Sequence, residues 1–166
     1  MKFTLVPEYR FKAFDDVTVD FLLSLNIKGV LLDIDNTLEP YEHAVAGKNV
    51  KDWLDALDCA GIKTAIISNN NSDRVTTFNA EFNMPAYAKA GKPFKHNLLK
   101  AMSDIGTSNQ NTIFIGDQIL TDVWAAHNAG IKAILVDPIN DKRDIFTRFK
   151  RLIEKPIIQK YEKERK

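Results

Sequence analysis

Short apolar segments alternate with helix-like segments along most of the chain, and this alternation constrains the fold more than any other feature of the sequence. Segments 29–33, 63–68, 112–115 and 132–136 are almost continuously apolar, which is typical of strands buried on both faces of a parallel sheet. Strands joined by helices in this way form right-handed βαβ units. The sequence therefore predicts an α/β fold with a single doubly wound parallel sheet and helices on both faces.

Proline, glycine and small polar residues mark the bounds of the other elements. Ser72 suits the N-cap of one helix, and Pro93 suits the first turn of the next, where its missing N–H costs nothing. Gly61 and Gly130 directly follow the last residues of two other predicted helices. The predicted helices are 16–25, 50–60, 72–82, 93–105 and 119–129, with a short strand over 86–88 and an irregular segment over 7–14.

Length and composition indicate one domain. The chain has 166 residues, 45% of them hydrophobic, and can bury a substantial core. We place the domain over 1–140 and treat 141–166 as its basic amphipathic extension, because this segment carries 10 Lys/Arg against 5 Asp/Glu while the whole chain has a formal net charge of +1. The single cysteine, Cys59, excludes an internal disulfide, and we expect a buried thiol. The lack of a signal peptide or long apolar run predicts a cytoplasmic protein.

Polar residues follow the apolar strands at the points where the strands end. Ligands of parallel sheets bind beyond the carboxyl ends of the strands, so these residues form the candidate site. Two of them, Asp33 and Asp35, are acids at the exit of a buried strand, where they would repel each other without a nearby cation. The candidate residues are Asp33, Asp35, Thr37, Ser68, Asn69, Lys92, Asp117 and Asp122.

This set of side chains suits phosphoryl transfer. Asp33 as a nucleophile would form an aspartyl-phosphate, and Asp35 would protonate the leaving oxygen and then deprotonate the attacking water. Mg²⁺ prefers oxygen ligands and would offset the repulsion between the acids and the phosphate, while Lys92 would neutralise developing charge. We predict phosphate or substrate contacts from Thr37, Ser68, Asn69 and Lys92, and magnesium ligands from Asp33, Asp35, Asp117 and Asp122.

Four segments resemble, in chain order, the four motifs of the haloacid dehalogenase-like (HAD) phosphatase superfamily. Asp33, Ser68, Lys92 and Asp117, one residue from each segment, are separated by 35, 24 and 25 positions. They resemble subclass IIIA in particular, which includes bacterial and mitochondrial phosphatidylglycerophosphate phosphatases. The resemblance implies a Rossmann-like HAD sheet and the roles given above, and Asp35 is the second acid that phosphatases have and dehalogenases lack. The segments are Asp33-Ile34-Asp35-Asn36-Thr37-Leu38, Ser68-Asn69-Asn70, Lys92-Pro93 and Gly116-Asp117-Gln118-Ile119-Leu120-Thr121-Asp122.

The spacing of the motifs leaves no room for a cap domain. The helix after the first motif begins by residue 50, and only 23 residues separate Ser68 from Lys92. An uncapped site favours a phosphate presented by a large molecule or a surface, and the family resemblance makes phosphatidylglycerophosphate the leading substrate. A lid from a partner subunit in an oligomer is an alternative.

The C-terminal segment predicts a basic amphipathic helix that lies on anionic lipid, at the inner face of a membrane, or packs on the domain. We expect Pro156 to interrupt it and 157–166 to be a frayed, solvated end. Its apolar stripe is Ile145, Phe146, Phe149, Leu152 and Ile153, and its basic residues are Lys142, Arg143, Arg148, Lys150, Arg151 and Lys155.

Other functions are also consistent with the sequence. Each motif alone has a structural explanation, such as a capped turn after a strand. A phosphatase acting on a protein or a nucleic-acid end, or a non-catalytic phospho-receiver or binding module, would use the same sheet edge; the near-neutral net charge gives no support for nucleic acid. We assign no role to His43, His96 or His127, which we expect at surface or boundary positions.

Overall fold

Six parallel strands form one sheet in the computed structural model, which describes residues 5–140 and 145–164. The strands are β1 (Tyr9–Phe11), β2 (Gly29–Leu32), β3 (Lys63–Ile67), β4 (Ala86–Tyr87), β5 (Thr112–Gly116) and β6 (Lys132–Val136). Their order is β1-β6-β5-β2-β3-β4, and every neighbouring pair is parallel. The predicted parallel α/β sheet is confirmed, with β2 between β5 and β3.

Helices connect the strands and cover the sheet. They are α1 (Val19–Ser24), α2 (Lys48–Cys59), α3 (Ser72–Asn79), α4 (His96–Asp104), α5 (Trp124–Asn128) and α6 (Ile145–Glu164). A 3₁₀ turn over Phe14–Asp16 precedes α1, and a π-helical turn over Ile119–Val123 leads into α5.

Two apolar cores hold the helices against the sheet. In β2, Val30 and Leu32 face a core shared with α1, α2 and α3, whereas Leu31 faces a core shared with α4 and α5. All three side chains are fully buried, and each such burial stabilises the fold by about 1.5–3 kcal/mol. Apolar side chains on both faces explain the continuous apolar pattern, and they leave the carboxyl edge of the sheet to polar residues.

The segment predicted as an irregular lead-in contains β1. Tyr9 and Phe11 are in register with Ile134 and Val136 of β6. Arg10, between them, pairs with Asp137 at 2.8 Å. The prediction was wrong because an edge strand of three residues is too short for its aromatic and charged residues to show a clear period.

The cap of α3 and the start of α4 differ from the prediction. Asn71, not Ser72, caps α3 by accepting a hydrogen bond from the Arg74 N–H at 2.9 Å. α4 begins at His96 rather than Pro93, which follows Lys92 through a cis peptide bond. Adjacent polar residues suit a cap equally well by type, so only the backbone path decides between Asn71 and Ser72.

Cys59 is exposed, contrary to the predicted buried thiol. It is the last residue of α2, whose buried side chains Trp53, Leu54 and Leu57 define the packed face. Cys59 lies off that face, so its apolar neighbours in sequence did not indicate its burial.

The C-terminal helix continues through Pro156, where an interruption was predicted. An interior proline removes one helical hydrogen bond, but packing on either side supports α6. Glu154 is buried and accepts a hydrogen bond from the Leu120 N–H at 3.1 Å, and Ile157 and Ile158 pack against the core of α4 and α5. Residues just beyond Pro156 therefore pack on the domain and are not a frayed end.

The described residues of the predicted apolar stripe do not lie on the packed face of α6. Leu152 and Ile153 are both exposed. No helix within residues 5–140 and 145–164 combines the length and apolar character that a membrane crossing needs. The side chains of Ile145, Phe146 and Phe149, and those of Lys142, Arg143, Arg148, Lys150 and Arg151, lie outside the described part of the chain.

Candidate active site

The carboxyl end of β2 brings the first pair of acids to the middle of the sheet edge. Leu32 is in register with Ile66 of β3 and Ile115 of β5. The N–H of Asp33 extends the ladder by donating to the Ile115 carbonyl at 3.1 Å. Because β2 is central, residues that follow β3 and β5 converge beside Asp33, as expected for a parallel sheet.

Three buried carboxylates lie together at this edge. One oxygen each from Asp33, Asp117 and Asp122 lies within 4.8 Å of the other two. The Lys92 ammonium group joins them, with Nζ 2.8 Å from Asp33 Oδ1 and 2.8 Å from Asp122 Oδ1. We call these four residues the carboxylate cluster. With all four ionised, the cluster has two excess negative charges in a buried site.

The cluster perturbs the acidity of its own members. Burial raises the pKa of Asp33 to about 8; Lys92 acts against this shift, while the nearby Asp122 and Asp117 carboxylates add to it. Burial would lower the pKa of Lys92, but attraction to Asp122 and Asp33 outweighs it, and the net direction is upward. Asp33 in its charged form would therefore be stabilised by further positive charge.

Gly116 allows the Asp122 carboxylate to approach the end of β5. A Cβ atom at residue 116 would lie 2.5 Å from Cβ, Cγ and Oδ2 of Asp122. Asp122 Oδ2 also accepts a hydrogen bond from the Gln118 N–H at 2.9 Å. A larger residue at position 116 would displace Asp122 from the cluster.

Asp35 has different neighbours from Asp33. Its Oδ1 accepts a hydrogen bond from Arg74 Nε at 3.0 Å, and its Oδ2 accepts one from Asn70 Nδ2 at 2.9 Å. Its carboxylate is not one of the three that come together. Of the four predicted metal ligands, the structure thus gathers the carboxylates of Asp33, Asp117 and Asp122, but not that of Asp35.

Three predicted phosphate-contact residues organise the loops of the same edge. Thr37 Oγ1 donates to Asp117 Oδ1 at 3.2 Å. Asn69 binds the Lys92 backbone twice, accepting from its N–H at 2.8 Å and donating to its carbonyl at 3.1 Å. Ser68 Oγ accepts from the Asn70 N–H at 3.1 Å. These contacts orient Asp117 and Lys92, while direct phosphate binding by Thr37, Ser68 and Asn69 stays a prediction.

The histidines occupy surface or boundary positions, as expected. His43 Nδ1 lies 3.1 Å from Glu39 and its side chain is largely exposed. His127 Nε2 lies 3.2 Å from Glu8, and His96 is exposed at the start of α4. None of the described contacts joins a histidine to the carboxylate cluster.

Two residues at this edge were missed by the sequence analysis. Arg74 is in the first turn of α3, where the helix dipole disfavours a cation, and this unusual position was a usable signal. Glu154 accepts a hydrogen bond from the N–H of Leu120, which lies in the turn that carries Asp122. It lies within a charged segment, so nothing in its sequence context indicated a buried carboxylate.

The donor set of the cluster suits a hard divalent cation. Asp33, Asp117 and Asp122 offer only carboxylate oxygens, which are the ligands that Mg²⁺ and similar ions prefer. A divalent cation would also balance the excess charge. These residues therefore fit a metal of this class.

Comparison with known sequences matches the chain to a protein family and to a probable phosphatase. A family model described as haloacid dehalogenase-like hydrolase matches residues 12–136. The chain is 32% identical over 158 residues to the probable phosphatase YqeG of Bacillus subtilis, a match that covers 95% of this chain and 92% of the relative.

Solved structures share the fold at lower identity. CbbY from Rhodobacter sphaeroides, in complex with phosphate, matches with a TM-score of 0.57 and 13% identity, over 72% of this chain and 90% of that one. The cobalt-bound deoxy-D-mannose-octulosonate 8-phosphate phosphatase from Haemophilus influenzae matches with a TM-score of 0.50 and 17% identity, over 79% of this chain and 89% of that one. Both likenesses show a common fold.

Proposed function

We propose a function from the premise that the chain belongs to the haloacid dehalogenase-like hydrolase family. It is a phosphatase, in keeping with its relative from Bacillus subtilis. We assign to it the hydrolysis of phosphomonoesters through an aspartyl-phosphate on Asp33, with Mg²⁺ as cofactor.

The carboxylate cluster is the observation that carries this proposal. Burying a lysine 2.8 Å from both Asp33 and Asp122 carries a desolvation cost in folding free energy, because buried charges are stabilised only by close partners. The ammonium group of Lys92 complements the negative charge of a phosphate ester, and the three carboxylates complement the positive charge of a divalent cation. A lysine beside the nucleophile would neutralise the phosphoryl oxygens as the transition state forms.

The side chains at the edge account for both halves of the reaction. An Asp33 oxygen attacks phosphorus, and the bond from phosphorus to the leaving oxygen breaks as Asp35 donates a proton to that oxygen. Water then attacks the aspartyl-phosphate while Asp35 takes a proton from it, and inorganic phosphate and the Asp33 carboxylate are released. The alcohol, phosphate and free enzyme balance the ester and water consumed.

Asp33, Asp117 and Asp122 would hold the Mg²⁺. The ion would offset repulsion between the Asp33 carboxylate and the phosphate anion. Thr37, by its hydrogen bond to Asp117, keeps one of these acids oriented.

We propose a surface-presented phosphate, with phosphatidylglycerophosphate as the leading substrate. Residues 33–47 and 68–92 contain no inserted cap domain in the structure. Exposed apolar side chains lie near site residues in the sequence: Tyr41 and Val45 follow the first acids, and Phe94, 74% exposed, follows Lys92. These residues would contact the apolar part of a lipid layer, and the basic segment 141–166, as an extension of the same domain, would add attraction to anionic headgroups at the inner face of a membrane.

Activity on a generic ester tests the reaction. Purified protein should hydrolyse para-nitrophenyl phosphate with Mg²⁺ present and lose this activity in excess EDTA, with recovery when Mg²⁺ is restored. A protein that becomes stably phosphorylated on Asp33 without turnover would instead be a phospho-receiver, and the proposed reaction would be wrong.

Liposomes test the substrate class. Vesicles that carry phosphatidylglycerophosphate should be hydrolysed with a higher kcat/KM than soluble sugar phosphates or nucleotides. Phe94→Ser should reduce the lipid reaction several-fold and leave para-nitrophenyl phosphate hydrolysis unchanged. Leu99→Ser, at an exposed apolar position on α4, serves as the matched control. Equal rates on vesicles and soluble esters would refute the lipid proposal.

A further inference from the structure

We propose that Arg74 is a positioning residue that orients the carboxylate of Asp35 for proton transfer, a role that rests on the proposed phosphatase function. No motif discussed above includes Arg74. Its side chain is 8% exposed and reaches the site from the first turn of α3.

The guanidinium group of Arg74 links the proton donor to a loop. Nε donates to Asp35 Oδ1 at 3.0 Å, and Nη1 donates to the Ala44 carbonyl at 2.9 Å. The planar, rigid fork of arginine fixes both acceptors relative to each other. Ala44 belongs to the loop that follows the first acids, so Arg74 ties the orientation of Asp35 to this part of the site.

Asn70 completes the placement of Asp35. It donates to Oδ2 at 2.9 Å, so each carboxylate oxygen has one donor and the carboxylate plane cannot rotate freely. A carboxylate oxygen can accept more than one hydrogen bond. Both oxygens therefore keep a position at which a proton can be held or delivered.

The position of Arg74 is not explained by fold stability. Among the described residues, its Nη2 is buried and has no hydrogen-bond partner, and an unsatisfied buried donor destabilises a fold. A cation in the first turn of a helix also opposes the helix dipole. The hydrogen-bonded ion pair with Asp35 is the contact that explains why an arginine occupies this position despite the unsatisfied donor and the unfavourable helix dipole.

Leaving-group dependence tests the proposal. Phenyl phosphate and para-nitrophenyl phosphate have the same ring, but phenolate leaves poorly without a proton and para-nitrophenolate leaves readily. Arg74→Gln should lower kcat/KM for phenyl phosphate by about 10–100-fold, since a positioned general acid contributes about 10²–10⁴-fold. It should lower kcat/KM for para-nitrophenyl phosphate only a few-fold, because that reaction depends little on the proton.

Two further variants separate positioning from folding. Lys51→Gln breaks an exposed ion pair with Glu81 near the other end of α3 and should leave both esters unaffected. In an Asp35→Asn background, Arg74→Gln should cause no further loss on phenyl phosphate, because residues that act through each other are not additive. If Arg74→Gln does not fold, Arg74→Lys should show the same dependence with a smaller loss, since one ammonium group replaces a fork with two donors.

The outcomes distinguish this proposal from the proposed function. Equal losses on both esters, no loss on either, or full additivity with Asp35→Asn would refute the role of Arg74 while leaving the phosphatase intact. A wild-type protein that hydrolyses neither ester would refute the proposed function and the role of Arg74 with it.

Discussion

Asp33 and Asp35 leave the same strand two residues apart, but the protein surrounds them differently. Asp33 meets Asp117, Asp122 and Lys92, and burial among these groups raises its pKa to about 8. Asp35 accepts one hydrogen bond from the guanidinium of Arg74 and one from the amide of Asn70. The first acid is thus placed among like charges, and the second among donors.

This difference is consistent with the two chemical roles that we propose for the two acids of one motif. The neighbours of Asp33 follow β4 and β5, whereas those of Asp35 follow β3 and enter α3. An acid crowded by like charges is stabilised by a cation and suits metal binding and nucleophilic attack, while an acid held by donors suits proton transfer in a fixed geometry. Separate environments for two nearby carboxylates are a general way to divide such roles.

The largest expected effect comes from Asp33→Asn. The amide cannot form the aspartyl-phosphate, so kcat/KM for para-nitrophenyl phosphate with Mg²⁺ should fall by about 10³-fold or more. Asp52→Asn is a matched control, because Asp52 pairs with Lys48 on the surface of α2. Activity within a few-fold of the wild type in Asp33→Asn would contradict the role of Asp33 as nucleophile.

Asp35→Asn should have a smaller effect that depends on the leaving group. We expect a loss of about 10²-fold or more on phenyl phosphate, the range of general acid catalysis, and a smaller loss on para-nitrophenyl phosphate. Steady-state kcat/KM on the two esters measures the difference. A uniform loss on both would mean that Asp35 does not donate the proton to the leaving oxygen.

Gly116→Ala should weaken metal binding through Asp122. The new Cβ would displace the Asp122 carboxylate, and disturbances around a metal ligand lower affinity by about 10–100-fold. The Mg²⁺ concentration for half-maximal activity measures this affinity. Gly106→Ala is the control: its φ of 69° strains an alanine, but its Cβ meets open space, so it should reduce stability and leave Mg²⁺ affinity unchanged.

The sheet could be predicted because its central strands are locally distinctive. Val30, Leu31 and Leu32 are apolar on both faces, and this pattern alone indicates a buried parallel strand. β1 and the course of α6 through Pro156 could not be predicted in this way. An edge strand takes its stability from β6, and the turn around Pro156 takes it from the packing of Ile157 and Ile158.

The gathering of the cluster could be predicted from strand ends, but the neighbours of Asp35 could not. Asp33 and Asp117 follow adjacent strands, so the topology brings them together. Arg74 reaches Asp35 from the first turn of α3, the turn that Asn71 caps. Contacts of this kind depend on helix placement, which no local pattern of residues specifies.

Without metal, the stability of the fold should depend on pH through Asp33. The pKa of Asp33 is about 8 in the folded protein, against the ordinary value of 3.8 for an aspartate side chain. Between these values the folded state holds a proton that the unfolded chain has lost, so the contribution of Asp33 to the free energy of unfolding falls as pH rises and levels off above about pH 8. Urea unfolding in EDTA at several pH values should therefore show Asp33→Asn gaining stability relative to the wild type between about pH 5 and 9.

Asp35→Asn completes the comparison under the same metal-free conditions. Removing this carboxylate leaves the buried Arg74 without its charged partner, and we expect a loss of about 1–3 kcal/mol in the free energy of unfolding. The two amide variants should thus change stability in opposite directions at pH 9. A shift of the same sign in both would mean that Asp33 and Asp35 experience similar electrostatic surroundings, and the division of roles between them would lose its physical basis.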